Sequence, residues 1–249
     1  MMPAKKTKRK VISVLSNRRN CRRFAFTLVE LLVVLAVIAL LMGILIPSLA
    51  KARIIAKRMK CSSNLRQIHV AINSYLSSNS DTYPCVDGND PLPTGQWLWM
   101  GRGWRGFIAP YLGGKINADN PSVLLCPADK TAPQKWESTS YSYSLAFYHS
   151  PEQIDSMTTD LDKLLPAAAQ KSVNVAKPAE KIIIGEWLSN HRRIEQVDNG
   201  WWIWAGRRNY LFADGQVRFL DANDIRPANN GQPNPNLTKH GIRGIDWAP

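Results

Sequence analysis

Residues Phe26 to Ile46 read FTLVELLVVLAVIALLMGILI, about 21 positions in which Glu30 is the single charge. Wound as an α-helix at roughly 1.5 Å per residue, the stretch is about 31 Å long, close to the depth of a bilayer's hydrocarbon layer. That length exceeds the roughly 7 to 15 apolar residues of a secretory signal, so the small-x-small triplet Ser48-Leu49-Ala50 is not taken as a signal-peptidase site. The stretch is expected to span a membrane. A carboxylate near one end of such a span costs a few kcal/mol if it faces lipid alone, so Glu30 asks for a partner.

The flanks orient the span. The chain has 249 residues and a formal net charge of +13. Residues 1–25 carry nine basic side chains (Lys5, Lys6, Lys8, Arg9, Lys10, Arg18, Arg19, Arg22 and Arg23) and no acid, so +4 remains without them. Basic residues collect on the cytoplasmic side of a span, which keeps this leader in the cytosol and sends the C-terminal part across. The basicity is therefore mostly topological, and nucleic acid is not an expected partner. Neither Arg18-Arg19 nor Arg22-Arg23 continues as a twin-arginine signal.

Arg22-Arg23-Phe24-Ala25 followed by Phe26-Thr27-Leu28-Val29-Glu30 resembles the processing site of type IV prepilins and type II secretion pseudopilins. The resemblance implies cleavage between Ala25 and Phe26 by a prepilin peptidase and N-methylation of Phe26. It also implies a role in assembly for Glu30, the fifth mature residue, and a helix kink at Pro47. The family usually has Gly before the cut, where this chain has Ala25. The implied partners are the peptidase, other pilin or pseudopilin subunits and inner-membrane lipid. The implied location is the inner membrane, single-pass, with the N-terminus cytoplasmic and the C-terminal domain periplasmic or extracellular.

Past Pro47, Ile54, Cys61, Leu65, Ile68, Ile72 and Tyr75 recur at helical spacings, with Lys57, Lys60, Arg66 and Asn73 turned away. The helix is thus expected to continue into water as an amphipathic rod and to stop near Asn79-Ser80-Asp81, ahead of Tyr83-Pro84. Lys51, Arg53, Lys57, Arg58 and Lys60 lie just outside the span and suit anionic head groups.

The run Cys61-Ser62-Ser63-Asn64-Leu65-Arg66-Gln67-Ile68 resembles a large subfamily of prepilin-like proteins. In that subfamily a Trp-rich segment, a Cys-Pro pair and a C-terminal hairpin ending in Asp-Gly follow; here these are Trp97 to Tyr111, Cys126-Pro127 and Asn209 to Leu220. Of the cysteines after the leader, Cys61 and Cys126 lie in motifs shared with the subfamily and Cys85 does not. The resemblance implies a Cys61–Cys126 disulfide, with a buried free thiol on the helix stripe as the alternative. The subfamily's histidines, ten residues before the Asp and just after the Gly, are Trp204 and Gln216 here, so no role of theirs carries over.

Between Asp81 and Asp129 turn formers dominate. Trp97, Trp99, Trp104, Phe107 and Tyr111 could offer a platform for sugar rings or bases; core filling in a loop-rich domain is the favoured reading. Asp87, Asn89 and Asp90 could offer oxygen ligands to calcium without matching an EF-hand loop. Tyr141 to Leu145 alternates as a short strand, and Lys181 to Trp187 reads as a central strand ending in a structural carboxylate, Glu186. Asn209–Ala213 and Gln216–Leu220 flank Asp214-Gly215, which suits a two-residue type I′ hairpin. That turn pairs Phe212 with Val217 and Tyr210 with Phe219. The polar run after Ala222, with Asn229, Asn230 and Asn234 to Asn236, reads as loop or partial disorder.

His69, His149, His191 and His240 stand far apart without metal-type spacing, and no serine sits in a nucleophile-elbow or P-loop context. No enzyme, metal or cofactor is expected. The fold expected is α+β and pilin-like, a long N-terminal α-helix packed on a small antiparallel β-sheet. Its parts are a leader (1–25), a transmembrane helix (26–47), its amphipathic continuation (48–80), a globular α+β domain (81–221) and a loop-rich tail (222–249). A filament subunit of a secretion system or pilus is the leading function. A membrane-anchored binding module, for carbohydrate or another ligand, is the alternative; a DNA-uptake pilin using Arg192, Arg193, Arg207 and Arg208 ranks last.

Overall fold

The computed structural model describes residues 27–86, 103–113, 122–130, 139–157, 167–191 and 206–249. The chain divides into two compact units, Met1–Ser48 and Leu49–Pro249. One helix, α1 (Leu28–Ser78), runs from the first into the second.

In the first unit α1 is apolar all round, and its most apolar window has no buried residue. A surface of Leu, Val and Ile left bare over about five turns belongs in lipid or against other helices, because water penalises it. Pro47 lies inside α1 without breaking it, and Ser48 Oγ donates to the Leu45 carbonyl (2.9 Å) nearby.

The second unit is built on the other half of α1. Its buried stripe comprises Cys61, Leu65, Ala71, Ile68, Ile72 and Leu76, at steps of three and four residues, while Ile54 is exposed. The expected stripe thus starts at Cys61, because the sheet reaches back along the helix only to about Arg58, which stands 4.7 Å over the Phe219 ring. Each of Leu65, Ile68 and Ile72 is fully buried, worth roughly 1.5–3 kcal/mol apiece. The helix stops because Ser80 and Asp81 adopt left-handed backbone (φ 53° and 55°), turning the Asp81 N–H back onto the Leu76 carbonyl at 3.0 Å.

Four strands, β1 (Tyr141–Tyr143), β2 (Ile182–Glu186), β3 (Arg207–Phe212) and β4 (Val217–Asp221), form one antiparallel sheet in the order β1-β2-β3-β4. Tyr141, Tyr143, Ile184, Leu211 and Val217 join the core that contains the α1 stripe. Ile182, Tyr210 and Phe212 point the other way, where Ile225, Leu220 and Trp247 make a second, smaller core. The register shift between Ile182 and Ile184 lets the isoleucine run serve both sides. Two short helices, α2 (Trp104–Ile108) and α3 (Pro151–Ser156), are also present among the described residues; α3 opens with a Ser150–Gln153 capping box.

The hairpin differs from expectation by one residue. Leu211 pairs with Val217, Tyr210 with Arg218 and Asn209 with Phe219. The Gly215 N–H donates to the Phe212 carbonyl and the Phe212 N–H to the Gln216 carbonyl, both at 2.9 Å, with Gly215 at φ +92°. The connection is therefore a three-residue loop, Ala213-Asp214-Gly215, with the left-handed glycine at its bulge, and not a two-residue type I′ turn. A one-residue slip moves every side chain to the opposite face, so Tyr210 and Phe212 face the second core while Val217 joins the first.

The tail is irregular, as its composition implies, yet it packs against the domain. Leu237, Asn236 and Ile242 are fully buried, and Ser144 Oγ donates to the Pro235 carbonyl at 2.8 Å. Asp246 accepts from the Ile182 N–H at 2.7 Å and pairs with Lys181 at 3.2 Å, with Thr238 bonded to both. Buried polar side chains hold it down together with the apolar ones.

Candidate functional site

The start of α1 is a capping box. Thr27 Oγ1 accepts from the Glu30 N–H (3.2 Å), while the Glu30 carboxylate accepts from the Thr27 N–H (2.9 Å) and hydroxyl (2.8 Å). Thr-x-x-Glu at this place satisfies amide donors that the first turn leaves open, a need that lipid makes more pressing. The motif is visible in Thr27-Leu28-Val29-Glu30, although the sequence reading above assigned Glu30 to assembly alone. Ala25 and Phe26, the residues flanking the implied cut, lie outside the described residues.

In the second unit, four side chains from distant segments meet. Cys61 comes from α1, Cys126 from the loop after a 3-10 turn (Ser122–Leu124), Glu186 from the end of β2, and His191 from five residues further on. Cys61 and Cys126 are joined by a disulfide, with 5.1 Å between their Cα atoms, and Cys85 is not disulfide-bonded. His191 Nε2 lies 2.8 Å from Glu186 Oε1 and 3.4 Å from Cys126 Sγ. Asn209 fixes the carboxylate, donating its backbone N–H to Oε2 (2.8 Å) and its side-chain amide to Oε1 (3.0 Å). All four residues are buried, and their donor atoms lie within 4.8 Å of one another. Among the described residues this is the group that could hold a metal.

The arrangement is not a nucleophile–imidazole–carboxylate triad. There the carboxylate takes one ring nitrogen and the nucleophile the other, whereas here both approach Nε2 and Nδ1 is buried with no hydrogen-bond partner. Spacing along the chain gave no hint of the cluster, because its successive members are 5 to 65 residues apart and meet only in the folded domain.

The other sequence candidates lie only partly within the described residues. Trp104 is fully buried, its ring tilted 31° to that of Tyr143 at 6.2 Å, so it fills core and offers no ring face. Trp97, Trp99, Asp87, Asn89, Asp90, Arg192 and Arg193 lie outside the described residues. Arg208 is fully buried, and Arg207 lies over the Phe219 ring at 5.0 Å. His149 is buried against Tyr148, and burial pushes its pKa down to about 4.

A motif-bearing apolar helix and a helix-on-sheet domain together define a pilin-like protein. Residues 20–46 match the prokaryotic N-terminal methylation motif, which implies processing by prepilin peptidase. The motif and the bare apolar helix mark a single-pass anchor with an extracytoplasmic domain. Residues 50–207, more than half of the chain, match the family described as "Protein of unknown function (DUF1559)", and the chain belongs to that family. No curated protein and no solved structure matches the chain.

Proposed function

We propose that the chain is a structural pilin-like or pseudopilin subunit, assembled through α1 into a secretion or pilus filament and without catalysis of its own. The observation that carries this reading is the methylation motif lying over a helix whose apolar half has no buried residue and whose first turn holds Glu30. A single anchor needs neither the motif nor a carboxylate at that depth. Subunit assembly uses both: cleavage after Ala25 creates an ammonium on Phe26, and the Glu30 of a neighbour can meet it in a low-dielectric setting. The leader then stays in the cytosol, the apolar half of α1 sits in the inner membrane, and the Leu49–Pro249 unit is periplasmic or extracellular.

Mass spectrometry of the mature N-terminus is the first test, with methylated Phe26 expected; an intact leader or a start at Lys51 overturns the assignment. Cysteine crosslinking between α1 helices is the second. Wild type should crosslink into multimers and Glu30→Leu should not, with insertion and cleavage unchanged. Equal crosslinking would favour a membrane-anchored binding module that does not polymerise.

A further inference from the structure

We propose that Cys61, Cys126, His191 and Glu186 form a zinc-type divalent metal site whenever the disulfide is reduced, so that either a covalent bond or an ion can clamp α1 to the sheet. The four offer two sulfurs, one imidazole nitrogen and one carboxylate oxygen, a donor set and number that suit tetrahedral zinc. They are 0 %, 1 %, 8 % and 0 % exposed respectively. Nε2 already points at the place that Cys126 Sγ and Glu186 Oε1 share, the convergence a single ion requires and one that neither a proton relay nor the disulfide needs. Asn209 orients the carboxylate with two donors, its backbone N–H on Oε2 and its side-chain amide on Oε1, as outer partners of metal ligands do.

The redox step balances with an external dithiol as reductant. The dithiol gives two electrons and two protons to the Cys61–Cys126 bond, becomes a disulfide itself, and leaves two thiols on the chain. Uptake of the ion then releases both thiol protons to solvent. Two thiolates and a carboxylate would place three negative charges in a buried site, and a divalent ion reduces that to one, so deprotonation and binding are coupled. In the disulfide state only His191 and Glu186 remain as strong donors, and the ion is not held.

The test uses the full-length chain in detergent with Cys21 and Cys85 replaced by serine, so that Cys61 and Cys126 are the only thiols. Cobalt(II) is titrated into the phosphine-reduced and the oxidised chain without oxygen. Reduced chain should bind one equivalent, with sulfur-to-cobalt charge transfer and the visible bands of a tetrahedral ion, displaced by zinc; oxidised chain should show neither. His191→Ala and Glu186→Gln should each weaken binding at least tenfold while leaving the disulfide-bonded chain folded by circular dichroism. Absence of charge transfer in the reduced chain overturns the proposal. So does charge transfer of equal affinity in both variants, which would mean two thiolates binding alone.

Discussion

Gly215 lies directly under the His69 imidazole: a Cβ placed on Gly215 would come within 2.6 Å of the ring's Cδ2 and Nε2. The hairpin turn and α1 meet here, with the glycine also at φ +92°. Gly215→Ala is expected to destabilise the domain by about 2 kcal/mol, from left-handed backbone and from displacing the ring. His69→Ala should recover the part due to the ring and leave the backbone part. Chemical denaturation of both single variants and the double variant measures the split.

Asp246 is the only carboxylate among the described residues within ion-pair distance of Lys181, and both groups are fully buried. Burial pushes the Lys181 ammonium's pKa down and the Asp246 carboxyl's up, each opposed by the other's charge. Asp246→Ala strands a buried ammonium and should cost about 3–5 kcal/mol. Lys181→Met with Asp246→Leu should cost less than Asp246→Ala alone, a comparison that equilibrium unfolding decides.

His149 gives the domain an acid-sensitive step. Its pKa is held at about 4 by burial, against 6.5 when unfolded, so between those values the unfolded chain binds the extra proton. Stability contributed by neutral His149 is complete above about 6.5, falls as pH drops toward 4, and does not fall further below it. The loss should reach about 3 kcal/mol. His149→Phe should flatten this part of the stability–pH profile; an unchanged slope would place the sensitivity elsewhere.

Glu30 closes a capping box with Thr27, and the assembly reading gives it a second job. Glutamine can close the same capping box, since it too reaches the Thr27 N–H, but it carries no charge. Under the assembly reading Glu30→Gln should leave the start of α1 helical yet crosslink as poorly as Glu30→Leu. Crosslinking at wild-type level in Glu30→Gln would mean that capping is what the residue supplies.

The long helix was legible because an apolar run of bilayer length with one charge has few other uses, and the Cys61–Ile72 stripe because one face repeats. Asp214-Gly215 located the hairpin but not its register. Asp-Gly suits both the two-residue turn and the bulged three-residue loop, and with both faces of the sheet covered, polarity could not choose between them. The tail was illegible for another reason. Asn236, Thr238 and Asp246 are buried by hydrogen bonds to named partners, and composition alone counts such residues as solvent-loving. The His191 cluster depends on contacts that no linear spacing expresses.

The Cys61–Cys126 bond closes a loop across 65 positions, so in topological terms the domain contains a covalent ring with α1 as part of its rim. Closing a ring of that size removes about 4 kcal/mol of conformational freedom from the unfolded chain. It also makes the protein tolerant of backbone scission. A protease that cuts once between residues 62 and 125 leaves both fragments tethered, the membrane-bound one to the one carrying the sheet. The nick would show only on a reducing gel, and the domain would stay attached to its anchor.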